Sequence, residues 1–148
     1  MKEVIIYTDG ACTGNPGAGG YCAILSFKGV EKIVSGGEDL TTNNRMELLG
    51  VIKGLEALKE PCSVKLYSDS QYVVDAFIKD WISIWKNSGW RTAGKKEVKN
   101  RDLWERLLEL LAVHKVEFIK VKGPSDNENN NRCDKIAREE YKKIVDKV

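Results

Sequence analysis
Apolar residues follow two different rhythms along this chain. Val4-Ile5-Ile6-Tyr7-Thr8 is a short run rich in β-branched residues and predicts a strand that gives out at Asp9-Gly10. Gly14 to Gly20 form a cluster of turn residues, with Asn15-Pro16 at its centre. Tyr21 to Phe27 predict a second strand, and Glu31 to Ser35 a third beyond the turn at Lys28-Gly29. Three strands joined by short turns predict an antiparallel meander. The rhythm then changes. Met46, Leu48, Leu49, Ile52, Leu55 and Leu58 recur at helical spacing until Pro61 ends the helix. Val64 to Ser68 predict a fourth strand ending at Asp69, and Ser70 to Phe77 a second helix. A short helix over Asp80 to Lys86, a loop through Gly89 and Gly94, and an apolar helix over Leu103 to Val113 follow. Val116 to Val121 predict a fifth strand, and Asn127 to Val145 a last helix after the Gly123-Pro124 turn. This order predicts an α/β fold, a five-stranded mixed sheet with helices on both faces. No repeat or linker interrupts it, so residues 1–148 are expected to form one domain.

The chain is 42% hydrophobic and 31% charged, too apolar and too evenly charged for a disordered polymer. No apolar run reaches the roughly 20 residues of a membrane helix, and the start lacks the apolar core of a signal peptide. Cys12, Cys22, Cys62 and Cys133 are widely spaced, and His114 is the single histidine, which disfavours a zinc site. Free thiols point to the cytoplasm. The net charge of +2 conceals an asymmetry: residues 79–101 carry +5 and the remainder −3. That basic segment also holds Trp81, Trp85 and Trp90. Its lysines, Lys95, Lys96 and Lys99 among them, are the composition of a surface for phosphates.

Asp9 and Asp69 each stand where an apolar strand ends, at the sheet edge where α/β folds gather ligands. Glu47 falls in the first turns of one helix and Asp134 early in another. If the four converge, the site is oxygen-only and suits Mg²⁺. Each acid also has a plainer reading. Asp9 before Gly10 can open a turn. Glu47 has the spacing of a capping box with Asn44 as N-cap, and Asp69 can cap the helix after it. Asp134 can sit on a solvated face.

Four blocks bear on that choice: Tyr7-Thr8-Asp9-Gly10-Ala11-Cys12-Thr13-Gly14-Asn15-Pro16-Gly17, Thr41-Thr42-Asn43-Asn44-Arg45-Met46-Glu47, Tyr67-Ser68-Asp69-Ser70-Gln71-Tyr72-Val73 and Asn130-Asn131-Arg132-Cys133-Asp134. In this order they resemble the signatures of type 1 ribonuclease H, over nearly the whole chain. The resemblance implies the ribonuclease H fold. It also implies non-sequence-specific hydrolysis of the RNA strand of an RNA–DNA hybrid with two Mg²⁺ ions, Mn²⁺ being a possible substitute, to give 5′-phosphate and 3′-hydroxyl ends. Asp9, Glu47, Asp69 and Asp134 would be both catalytic and metal-binding. Asn15, Asn43, Asn44 and Gln71 would contact the groove, where amides can both donate to and accept from a 2′-hydroxyl. Thr42 and Asn100 would hold a phosphate of the DNA strand. Residues 79–101 resemble the family's basic handle. Trp81 and Trp85, four apart, are expected in the core with Trp104, which leaves Trp90 as the aromatic ligand candidate. The partner implied is the hybrid alone, bound by a monomer with no membrane and no obligate protein partner.

The chain departs from the family at one loop. Pro124 and Asp126 stand where a histidine and a glycine are usual. Proline cannot shuttle a proton, so turnover or product release is expected to be slowed without being abolished. Three other readings remain at this stage: a hybrid-binding module without activity, a nuclease of the same fold acting on another DNA structure, and a structural domain whose acids are caps.

Overall fold
A computed structural model describes residues 1–122 and 127–147. Pro124 and Asp126 lie outside the described residues. Among the described residues, five strands and five helices follow one another: β1 (Lys2–Cys12), β2 (Gly17–Phe27), β3 (Val30–Thr41), α1 (Asn43–Glu56), β4 (Cys62–Ser68), α2 (Gln71–Ile78), α3 (Trp81–Asn87), α4 (Arg101–Val113), β5 (Lys115–Lys120) and α5 (Glu128–Val145). One mixed sheet runs in the order β3-β2-β1-β4-β5. β1 pairs antiparallel with β2, and β2 with β3; β1–β4 and β4–β5 are parallel. This is the expected meander joined to parallel strands.

Two apolar layers hold the helices to the sheet. The larger gathers Ile6, Leu48, Leu55, Leu66, Val73, Trp104 and Leu107, all fully buried, from strands and from α1, α2 and α4. The smaller lies under α5 and joins Ile24, Cys22 and Ala11 to Cys133 and Ala137. α5 thereby packs across β1, β2 and β3, and α1 across β1 and β2.

The antiparallel strands run longer than the apolar runs that predicted them. Gly17 to Gly20 are the start of β2, not part of the turn, and β3 continues through Gly36-Gly37 to Thr41. The reason is packing. A side chain at Gly20 would collide with the Ala137 carbonyl, so this glycine serves the approach of α5 to the sheet. All four cysteines are unpaired thiols. His114 is buried, and its Nδ1 accepts the Cys62 N–H at 3.1 Å, a structural role. Among the described residues, no helix is long and apolar enough to cross a membrane.

Candidate active site
Two parallel strands bring acids together. Asp9 lies within β1, which runs on to Cys12 in its pairing with β2 rather than giving out at Asp9-Gly10; Asp69 directly follows β4, and α1 brings Glu47 against them from the side. The approach of α1 depends on Gly10, where a Cβ would lie 2.5 Å from the backbone of both Met46 and Glu47. No larger residue fits there. Asp9 and Glu47 are only 4% and 5% exposed, and one carboxylate oxygen from each of Asp9, Glu47 and Asp69 lies within 4.8 Å of the others.

The plainer readings of these acids do not survive the geometry. Thr42, not Asn44, is the N-cap of α1; its hydroxyl accepts the Arg45 N–H at 3.3 Å, leaving Glu47 out of any capping box. Ser70, not Asp69, caps α2. Asp9 does accept the Gly10 N–H at 2.9 Å, but within β1 rather than at a turn.

Crowding acids in a buried edge disturbs their protonation. Burial, and then the charge of Asp69, pushes the Asp9 carboxyl up to about 7. Burial, followed by the charge of Asp9, raises Glu47 well above the ordinary carboxylate range. Each opposes the ionisation of the other, which favours a state in which one of them keeps its proton. Oε2 of Glu47 is buried without a partner. A hard divalent cation would satisfy that oxygen and cancel the repulsion, so the donor set fits Mg²⁺ or a like ion.

Asp134 is not part of this close trio. It sits on α5, half-exposed, with both carboxylate oxygens held by Arg138 Nε at 3.0 and 3.2 Å. Its charge nonetheless contributes to the rise of Asp9, so it lies within electrostatic reach.

Most of the proposed substrate residues meet in one place. A cleft of about 680 Å³ is lined by Asn15, Thr42, Asn43 and Asn44 on one side and Lys99 and Asn100 on the other. Asn15 Oδ1 accepts the Asn43 N–H at 3.0 Å, which ties the β1–β2 turn to the start of α1. Gln71 is exposed in the first turn of α2 and does not line this cleft. Lys95 and Lys96 are exposed in a turn closed by the Arg91–Glu97 bridge. Trp90 is half-buried rather than presented freely. Its ring lies 6.4 Å from Trp85, with the Arg101 guanidinium 5.6 Å from its centre. Trp81 and Trp85 pack against the main core and Trp104 is fully buried, as their spacing predicted.

One cleft residue escaped the sequence reading. The Tyr72 hydroxyl accepts Trp104 Nε1–H at 3.0 Å and Asn100 Nδ2–H at 3.3 Å, anchoring Asn100 to the core. Its position directly after Gln71 in the third block was the available signal.

The sheet order, the helices crossing it and the acidic edge together define the ribonuclease H-like class. The family model RNase H matches residues 1–142. A ribonuclease H of Caldicellulosiruptor saccharolyticus is 58% identical over 144 residues, 97% of this chain and 99% of that protein. LC9-RNase H1, a type 1 RNase H, superposes with a TM-score of 0.78 at 28% identity, covering 94% of this chain and 72% of that one. LC11-RNase H1 in complex with RNA/DNA hybrid has the same fold, with a TM-score of 0.64 at 23% identity over 96% of this chain and 99% of that one. The chain belongs to the ribonuclease H family, type 1, and is a ribonuclease H enzyme.

Proposed function
We propose that this enzyme is an endonuclease that hydrolyses the RNA strand of RNA–DNA hybrids without marked sequence specificity, leaving 5′-phosphate and 3′-hydroxyl ends. The adjacency of two chemistries carries this reading. Asn43 and Asn44 sit one helical turn before Glu47, and Tyr72 three residues after Asp69, so the amide-lined cleft opens beside the acidic trio. Two Mg²⁺ ions, with Mn²⁺ as a substitute, held by Asp9, Glu47, Asp69 and Asp134, would ease deprotonation of the attacking water and offset charge on the leaving oxygen. For that, Asp9 and Glu47 release the retained proton and Asp134 turns away from Arg138.

The remaining residues select and hold the substrate. Asn15, Asn43, Asn44 and Gln71 offer amides to the 2′-hydroxyls and base edges of the minor groove. Thr42 and Asn100 hold a phosphate of the DNA strand. Lys95, Lys96 and Lys99 add charge that reads no sequence, and Trp90 contributes the exposed part of its ring to the same surface. A junction or other duplex DNA would make no use of the amides, which favours the hybrid. The enzyme acts as a cytoplasmic monomer with no obligate protein partner, and its unpaired thiols suit that reducing compartment.

A hybrid labelled in its RNA strand is expected to be cut when Mg²⁺ is added, while the DNA duplex of the same sequence stays intact. An uncut hybrid, or a cut duplex, overturns the proposal.

A further inference from the structure
The parallel ladder between β1 and β4 ends at the pair Tyr7–Tyr67, just short of the points where the strands deliver Asp9 and Asp69. There a side chain takes over from the ladder. Nδ2 of Asn130, on α5, donates to the Thr8 carbonyl at 3.1 Å and to the Tyr67 carbonyl at 3.2 Å. Both neighbours are acceptors, so the amide must present its nitrogen to them. Asn130 is 5% exposed, and its Oδ1 is buried with no partner. An unpaired buried oxygen costs stability, and an aliphatic side chain would avoid that cost. Only a forked donor, however, can grip two strands at once.

Thr8 immediately precedes Asp9, Tyr67 lies two residues before Asp69, and Asp134 follows Asn130 by one turn of α5. A single amide group therefore joins the three elements that carry three of the four acids. Cys133 Sγ also ties α5 to the Tyr7 carbonyl at 3.1 Å, but Asn130 is the side chain that reaches both strands where their parallel ladder has stopped.

We propose that Asn130 is a positioning residue for the acidic site: its forked N–H donation sets the separation of the β1 segment that carries Asp9 from the end of β4 that leads to Asp69, and the height of α5 above them. It touches neither the substrate nor a cation, and it acts through the backbone that carries the ligands. The inference rests on the metal-dependent hydrolysis proposed above.

The test compares wild type with Asn130→Ala and with Asn130→Asp, which keeps the shape but loses both N–H donors. Three quantities are read: Mg²⁺ binding to the metal-free protein by calorimetry, the rise in Tm caused by Mg²⁺, and kcat against KM on the hybrid. Both variants are expected to bind Mg²⁺ on the order of 10- to 100-fold more weakly, as when the outer partners of metal ligands are removed. The Mg²⁺-induced rise in Tm should shrink accordingly and kcat should fall, with KM essentially unchanged. A purely structural amide would lower Tm equally with and without Mg²⁺ and leave Mg²⁺ affinity intact, which overturns the proposal. A raised KM at unchanged kcat overturns it too, by placing Asn130 at the substrate. Should these variants not fold, Asn130→Ser retains one donor, and intermediate Mg²⁺ affinity is expected; wild-type affinity overturns the proposal. A wild-type enzyme that binds Mg²⁺ but leaves the hybrid uncut defeats the functional reading alone, because the Mg²⁺ affinities still decide the role of Asn130.

Discussion
The acidic edge and the basic segment 79–101 are built on opposite plans. At the edge the charges are buried: Asp9 and Glu47 lie out of water, within 4.8 Å of Asp69, on backbone that admits only glycine at position 10. In the basic segment the rings are half-buried and the charges stand in solvent. Lys86, Arg91, Lys95, Lys96 and Lys99 pair with no carboxylate among the described residues, while Trp81 and Trp85 pack on the core beneath them. Charges held in a low dielectric act individually and strongly; exposed ones are screened and act as a sum. Each acid is therefore expected to be indispensable, and each lysine replaceable.

The sharpest way to break this contrast is Asp69→Asn. It should abolish cleavage of the labelled hybrid while leaving binding, read by gel shift, largely intact. It should also raise the Tm of the metal-free protein near neutral pH, because one of the charges pushing up Asp9 and Glu47 is gone. Retained turnover would show that the edge, too, works only as a sum.

A smaller effect is expected from removing Lys95, Lys96 and Lys99 together, each to alanine. Hybrid affinity should weaken at low salt, and the slope of log affinity against log salt should flatten by about one per lysine. Turnover at saturating hybrid should hold. Lys95→Ala alone should be close to silent.

Proton competition gives a third, milder test. Asp9 is raised from the ordinary 3.8 to about 7, so between those values the folded protein holds a proton that the unfolded chain has released. On this group's account the metal-free enzyme loses stability as pH rises through that window and has lost all of it above. A cation needs the ionised form, so the Tm gain from Mg²⁺ should be small near pH 5 and full near pH 8.5, as linkage requires. A gain independent of pH would mean that the buried acids are not the ligands.

The smallest change expected is a gain. Pro124→His should raise turnover modestly at unchanged hybrid affinity; an unchanged rate would show that a histidine has no use at that position in this enzyme.

Much of this was legible in the chain. Apolar runs located the central strands, which are buried on both faces, and helical apolar spacing located the helices, which bury one; the acids at the ends of the apolar runs pointed to the sheet edge. Other features were hidden because they depend on partners distant in sequence. The glycines of β2 resemble turn residues until α5 is seen pressing on Gly20. Asn44 has the spacing of an N-cap, but Thr42 is the residue whose hydroxyl reaches a free N–H. Tyr72 reads as a helix-core aromatic, and nothing local reveals that its hydroxyl meets Trp104 and Asn100. Asn130 is one amide in a run of asparagines, distinguished only by two carbonyls 122 and 63 residues away. For Asp134 the helix was legible, but its pairing with Arg138 was not.

The tryptophans have an optical consequence. Ring centres of Trp81, Trp90 and Trp104 lie 6.1, 6.4 and 5.4 Å from that of Trp85, so all four indoles form one connected set. Excitation absorbed by any of them can pass to the others, and the emission of the whole protein comes from this one region. Two of its rings lie against cationic side chains, Trp81 against Lys79 and Trp90 against Arg101. The enzyme's intrinsic fluorescence thus reports on the basic segment and the α4 helix beneath it, because none of the four indoles belongs to the acidic edge.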